Sequence, residues 1–276
     1  MSDDPAPVNV RHESVPIRRF GDFFEEIDRR CRTRDAKYLF RGQRQDWPIL
    51  PSIARLELDI DVLDAEHRMM AELKRAAPPL LREGPNDDWA WLTIAQHHGL
   101  PTRLLDWTSN PLVALWFAVE SPAEDGENGI VWMLEPPDSM VLTQGSLADK
   151  DPLGLMYSPC FRPADFTERV VAQQGWFTLH QYYATYGFVE MQRSFYYAKH
   201  LTKFEIPAAK FSEFRFTLDM LGINRAALFP GLDGLCRTIR WQNSLESDEK
   251  KPPSKSTPKT TNARRKKPAA KRRKRR

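Results

Sequence analysis

The segment from Asn110 to Val119 limits the fold more than any other. Asn110-Pro111 is the favoured order for opening a helix, a capping side chain followed by proline in the first turn, and Leu112 to Val119 is apolar almost all the way round. Such a helix has no face to give to water, so it must lie at the centre of a domain. At eight residues the apolar run is far short of the ~20 that a membrane span needs, and no membrane partner is expected.

Strands are predicted around it. Residues 37–43 read as a short strand ending in a turn, which puts Arg41 at a strand end, and 104–106 as extended. Residues 129–134, 175–180 and 203–207 read as further strands. Phe20, Phe23, Phe24 and Ile27 fall at helical spacing. Asp64 is a candidate cap for a helix running towards Pro78, with Met69, Leu73 and Ala76 on one face. Asp87 or Asp88 is a candidate cap for another running to His98, which Gly99 and Pro101 end. Phe211, Phe214, Leu218 and Leu221 mark one late helix, and Leu232, Leu235, Cys236 and Ile239 a second. Residues 135–168, with five prolines, read as a long irregular excursion. Strands separated irregularly by helices predict the α+β class: a single mixed domain with a central apolar helix against short strands.

Charge divides the chain. Of 41 Lys and Arg, 14 lie from Lys250 to Arg276, where there is no acidic residue; the 27 that remain face 37 Asp and Glu, so residues 1–249 carry a net charge of −10. The expected organisation is a flexible N-terminal arm over 1–16, a domain over 17–242, and a disordered Lys/Arg-rich tail over 243–276. The tail residues Arg264, Arg265, Lys266, Lys267, Lys271, Arg272, Arg273, Lys274, Arg275 and Arg276 are candidates for binding nucleic acid or another polyanion, because such charge density neutralises phosphates without reading sequence. The alternative is a tail that folds back on its own acidic body. The first residues show no basic stretch followed by an apolar one, and the three cysteines lie far apart without a Cys-x-x-Cys, so an intracellular, cytoplasmic protein that is not secreted is expected.

The chemistry classes narrow by elimination. The sequence holds no Gly-x-x-x-x-Gly-Lys-Ser/Thr, Gly-x-Gly-x-x-Gly, Gly-x-Ser-x-Gly or His-Glu-x-x-His. His97 and His98 are adjacent, so on a helix they diverge by about 100° and share no metal face; no metal is expected, and a C-terminal capping role is the plain alternative. Arg103, Asp106, Thr108 and Ser109 stand between Leu104-Leu105 and the apolar helix. Arg103 and Asp106 can brace a bend by pairing with each other or with backbone, and Ser109 or Asn110 can cap the helix. His180, beside aromatics, reads as a core residue or as an acid or base.

Phe40-Arg41-Gly42-Gln43, then Pro51-Ser52 and Arg55, then the block from Gln96 to Thr108 (Gln-His-His-Gly-Leu-Pro-Thr-Arg-Leu-Leu-Asp-Trp-Thr), with Gln174 to His180 later, strongly resemble the FRG domain family over roughly 17–242. That resemblance implies a bacterial protein associated with antiphage defence or toxin-like loci. A second resemblance, to ADP-ribosyltransferases of the Arg-Ser-Glu type, rests on Tyr38-Leu-Phe-Arg41-Gly42 as the first element and Asp106 to Ala118 as the second. It implies NAD as substrate, with Arg41, Thr108, Ser109 and Gln174 as catalytic residues, Arg41 on the pyrophosphate and the hydroxyls on the nicotinamide ribose. Gly42, Gln43, His98, Arg103 and Asp106 would lie with Arg41 around the cofactor. Gln173 and Gln174 stand where that pattern has its Glu, and Glu190 and Glu205 are the substitutes that the chain offers. An NAD-using enzyme and a non-catalytic binding or sensing module both remain open, each tethered by the tail.

Overall fold

The computed structural model of the chain describes residues 5–33, 35–81, 84–147, 149–163 and 168–250. In chain order these form β1 (Ser14–Pro16), α1 (Phe20–Arg30), β2 (Leu39–Gln43), α2 (Val62–Ala76), α3 (Asp88–His97), β3 (Leu104–Thr108), α4 (Pro111–Val119), β4 (Gly129–Leu134), β5 (Val141–Leu142), α5 (Gln144–Leu147), β6 (Cys160–Phe161), α6 (Glu168–Ala172), β7 (Gly175–Leu179), β8 (Tyr182–Tyr183), β9 (Gly187–Phe188), β10 (Leu201–Ile206), α7 (Phe211–Met220), α8 (Arg225–Leu228) and α9 (Leu232–Gln242). Eight strands join one sheet in the order β1-β10-β4-β2-β3-β7-β6-β5, while β8 and β9 pair separately. The large sheet is antiparallel except for β1 with β10 and β5 with β6. The class is α+β. Among the described residues no helix is long and apolar enough to cross a membrane.

Strand alternation sorts the core into two faces. On the first face, Phe40, Val131, Met133, Phe204 and Ile206 meet α1, α4 and α7. Farther along the same face, Leu104, Phe177 and Leu179 meet α2 and α3 through Met70, Trp89 and Leu92. The second face carries Leu39, Leu105, Trp107, Ile130, Trp132 and Leu134, covered by Ile49, Met191 and Tyr197. The apolar helix α4 sits at the centre as its composition requires: Val113, Ala114, Leu115, Ala118 and Val119 are all buried. The Asn110 side chain caps it by accepting from the Leu112 amide at 3.0 Å.

Several boundaries differ from the sequence reading. Asp61, not Asp64, caps α2, accepting from the amides of Leu63 and Asp64. Asp87 caps α3. Residues 14–16 of the expected arm form β1, because the edge of β10 offers them a parallel ladder. The expected irregular stretch holds β5, α5 and β6. Residues 243–250 of the expected tail fold back on the body: the Arg215 guanidinium, 4% exposed, donates to the Val119 carbonyl at 3.0 Å, to Asp248 at 2.6 Å and to Glu249 at 2.9 Å. The basic segment from Lys251 to Arg276, with all its candidate nucleic-acid-binding residues, lies outside the described residues.

Candidate functional site

The two helical covers on the first face leave a gap between α3 and α4, and beneath it the sheet itself opens. Strands β2 and β4 share five register pairs, whereas β2 and β3 share one, Phe40 with Thr108. Past that pair the Arg41 guanidinium bridges the two strands, donating to the Asp106 carbonyl at 2.8 Å. A cleft of about 220 Å³ lies here, lined by Arg41, Asp106, Trp107, Thr108, Arg169 and Gln173 among others. A neighbouring hollow shares Asp106, Trp107, Arg169 and Gln173 and adds Gln96 and His97 from α3, so the two form one groove.

Asp106 is the exposed residue of a strand whose other four residues are buried. Its side chain alternates onto the first face, and its carboxylate accepts from the Gln96 amide at 3.0 Å; among the described residues no other donor reaches it. Gln96 is itself oriented by the Thr102 hydroxyl, which donates to it at 2.8 Å. Arg169 lies over the Phe229 ring at 4.7 Å, a cation–π contact that fixes one side of its guanidinium. Burial lowers the Arg41 pKa, the Asp106 charge opposes that shift, and the Arg55 charge adds to it. Burial, Arg169 and His98 together lower the His97 pKa, against the Asp106 charge.

Gly42 has a steric role. A Cβ built there would stand 2.8 Å from the Ala118 nitrogen and 2.9 Å from the Ala114 carbonyl carbon, and closer still to the Ala114 carbonyl oxygen. The backbone of α4 therefore lies directly on β2, and this contact sets one wall of the cleft.

The remaining expected site residues scatter. The Thr108 hydroxyl is committed to the Gln173 carbonyl at 2.6 Å and to the Asn110 amide at 3.0 Å, so it braces the entry to α4. Ser109 and Gln174 are neighbours, with a hydroxyl-to-amide distance of 3.5 Å, but both are exposed, and Ser109 lines a different hollow, with Trp176 and Arg162. Gln43 is buried on the second face. His98 is the exposed C-cap residue of α3, edge-on to His97 at 4.9 Å. Arg103 does not pair with Asp106: it is 2% exposed, forms a buried ion pair with Glu66 of α2, itself 1% exposed, and donates to the Leu153 carbonyl at 3.3 Å. His180 is buried, contacts the Thr178 hydroxyl at 3.2 Å, and has its pKa pushed down to about 3 by burial and by the charges of Arg41 and Arg103; it is a neutral core imidazole. Glu205 is tied to Ser14 and Lys203 at the β1–β10 edge, and Glu190 contacts Gln192, so neither carboxylate reaches Arg41. Among the described residues no group of His, Cys, Asp and Glu could hold a metal ion.

Sequence reasoning missed Glu66 as the partner of Arg103 and Arg169 as a wall of the cleft. Nothing in their local sequence marks either. Gln96 stands within the Gln-His-His-Gly block, and its spacing from Asp106 was the one available signal.

Arg41 in the middle of β2, not at the strand end that the sequence suggests, the glycine beneath α4 and the Gln96–Asp106 pair all fall inside residues 36–127, which match the family model described as the FRG domain. The chain carries an FRG domain. The match covers a shorter stretch than the 17–242 expected, taking in β2, α2, α3, β3 and α4 and stopping before β4. Arg169 and Gln173 thus reach the FRG cleft from outside the matched segment. No curated protein and no solved structure matches the chain.

Proposed function

We propose that the FRG domain binds a phosphorylated, ribose-bearing ligand of the NAD or ADP-ribose class in the cleft between α3 and α4. The observation that carries this reading is the juxtaposition of two guanidiniums, Arg41 and Arg169, with the Asp106 carboxylate along one groove. Guanidiniums hold phosphate oxygens in a forked geometry, and a carboxylate accepts from vicinal ribose hydroxyls. Binding is favoured over turnover because the groups expected to act on the nicotinamide ribose do not converge: Thr108 is spent on backbone, Ser109 lines a separate hollow, and Gln174 is exposed beside Ser109.

One observation favours a second, catalytic reading: Asp106 supplies a carboxylate on the Arg41 side, where it could stabilise an oxocarbenium-like centre as nicotinamide leaves. Calorimetric titration of NAD and ADP-ribose into the protein, with nicotinamide release followed in parallel, tests both. Binding that is lost in Arg41→Ala and weakened in Asp106→Asn supports the nucleotide site, and nicotinamide release lost in Asp106→Asn would add turnover. A wild-type protein that binds neither ligand refutes the reading.

The segment from Lys251 to Arg276 would tether this module to a polyanion. Binding of DNA and RNA by the full chain should fall steeply with salt and vanish in a chain ending at Lys250. A nucleotide-responsive module on such a tether suits the defence or toxin setting that the family resemblance implies.

A further inference from the structure

Helix α9 turns its small residues to the body and its large apolar ones to water. At about 100° per residue, Gly234 and Thr238 share one side of the helix, and Leu232, Leu235, Cys236 and Ile239 share the opposite side. Gly234 and Thr238 are buried, while Leu232 is 79%, Leu235 46% and Ile239 49% exposed. This rotation is locked by two contacts. The Thr238 hydroxyl accepts from the Ala226 amide of α8 at 2.8 Å and donates to the Gly234 carbonyl at 3.0 Å. A Cβ at Gly234 would stand 3.1 Å from the Phe229 carbonyl carbon and closer still to its oxygen, so the missing side chain lets α9 lie against the end of α8. Both contacts hold the apolar stripe outward, and an apolar patch rimmed by polar residues marks an interaction surface.

The rest of the chain offers nothing to cover the stripe, because residues 251–276 contain no Leu, Ile, Val, Met or aromatic residue. The charges beside it fit α9 itself. Asp233 in the first turn and Arg240 in the last are seven residues apart, so they lie within about 20° of each other, on the flank next to Cys236. Asp233 contacts Arg237 of its own helix at 3.2 Å, and the Arg240 guanidinium makes no hydrogen bond or ion pair among the described residues. Two copies of α9 laid antiparallel, with Asp233 facing Arg240 of the second copy, form an acid–base pair at each end and align their helix dipoles favourably. A parallel pair would set like charges together. The antiparallel register also interleaves the apolar residues. Its two-fold axis passes midway between residues 236 and 237. At about 1.5 Å of rise per residue, Leu232 and Leu235 lie about 7 and 2 Å to one side of that axis, and Ile239 of the second copy about 4 Å to the same side, between them.

We infer that α9 is the contact of a two-fold, antiparallel dimer of this chain, packed through Leu232, Leu235 and Ile239 and oriented by Asp233 and Arg240. None of these residues lines the groove between α3 and α4, so each copy keeps its own cleft, and the inference is independent of what that cleft binds. A helix of 11 residues is about 16 Å long. One such pair falls short of the ~800 Å² per partner of a standard interface, so the dimer is reversible, with a dissociation constant on the order of 1–100 μM.

The test is sedimentation equilibrium of the full chain at physiological ionic strength, from about 1 to 300 μM, for wild type, Ile239→Asp, Asp233→Arg and Arg240→Asp. All three side chains are exposed, and a thermal scan of each variant verifies that it is folded. Ile239→Asp buries a carboxylate at the contact and should weaken association about 100-fold or more. Asp233→Arg and Arg240→Asp each turn two attractive pairs into repulsive ones and should weaken it about tenfold. Mixing these two variants should restore wild-type association, because an Arg then meets an Asp at both ends of the mixed dimer. Wild type that stays monomeric throughout the range overturns the inference, as does a dimer indifferent to Ile239→Asp. Charge variants that associate as well as wild type, or a mixture that recovers nothing, overturn the antiparallel arrangement and the inference with it. A monomer that sediments with phosphatidylserine vesicles in an Ile239-dependent way would assign the stripe to a lipid surface instead.

Discussion

Gly42→Ala isolates the contact that builds the cleft. Two effects oppose each other at this position. The Gly42 backbone has no positive φ, so alanine can adopt it, and the reduced freedom of the unfolded chain would stabilise the protein by about 0.4–1 kcal/mol. Against that, the new Cβ would stand 2.8 Å from the Ala118 nitrogen and 2.9 Å from the Ala114 carbonyl carbon, where comfortable contact needs about 3.5 Å. The atoms it meets are helix backbone, which cannot rotate away, so α4 must retreat by at least half an ångström. That helix packs on all sides, and its retreat loosens Val113, Leu115 and Phe40 together. Overpacking of this kind costs about 1–3 kcal/mol, and backbone contact puts Gly42 at the upper end, so a net loss of about 2 kcal/mol is expected. For a domain of this size that lowers the thermal midpoint by roughly 4–8 °C, measurable by urea titration and by calorimetry. The control is Gly21→Ala in α1, where a Cβ meets nothing within 4 Å, and which should stabilise by about 0.5–1 kcal/mol. A Gly42→Ala protein as stable as wild type, with a normal urea slope, would refute the steric account of this glycine.

Three other perturbations have definite expected outcomes. Glu66→Gln leaves the Arg103 charge buried without its partner and should cost about 3–5 kcal/mol, whereas the double change Glu66→Met with Arg103→Met should recover much of it; urea unfolding of the set decides. His180 has a folded pKa near 3 against an ordinary value of 6.5, so its contribution is fully present above pH 6.5 and is lost as pH falls towards 3, at up to about 1.4 kcal/mol per unit; His180→Leu should flatten that part of the stability–pH curve. Asp248→Asn with Glu249→Gln leaves the buried Arg215 charge without a carboxylate and should destabilise by about 3 kcal/mol, and a thermal scan indistinguishable from wild type would show that residues 243–250 are not part of the folded body.

What could be read from the chain was what local physics decides. Asn110-Pro111 before an apolar run and Asp87 before α3 are signals carried by neighbouring residues, and both caps form. Phe211, Phe214 and Leu218 give both the helix and its buried face. The same spacing in Leu232, Leu235 and Ile239 gives helix α9, yet all three side chains point to solvent, because periodicity fixes a stripe and only the neighbours decide what covers it. The candidate site was legible in part for the same reason. A strand around Arg41 follows from short-range pattern, although Arg41, expected at its end, is the middle residue of β2; Arg103, by contrast, finds its partner 37 residues upstream, and whether Thr108 faces a ligand or its own backbone depends on Gln173, 65 residues away. Long-range choices of this kind are made by packing, which single residues do not announce.

The bonds from Arg215 to Asp248 and Glu249 also set a load path. The chain changes the sign of its charge at Lys250, immediately after its last recorded hold on the body. Tension applied from the C-terminal side therefore arrives first at two ion pairs on one arginine. These would part by peeling, one after the other, before any force reaches α4 or the strands beneath it. Arg215 would thus take such a load ahead of the residues that wall the cleft.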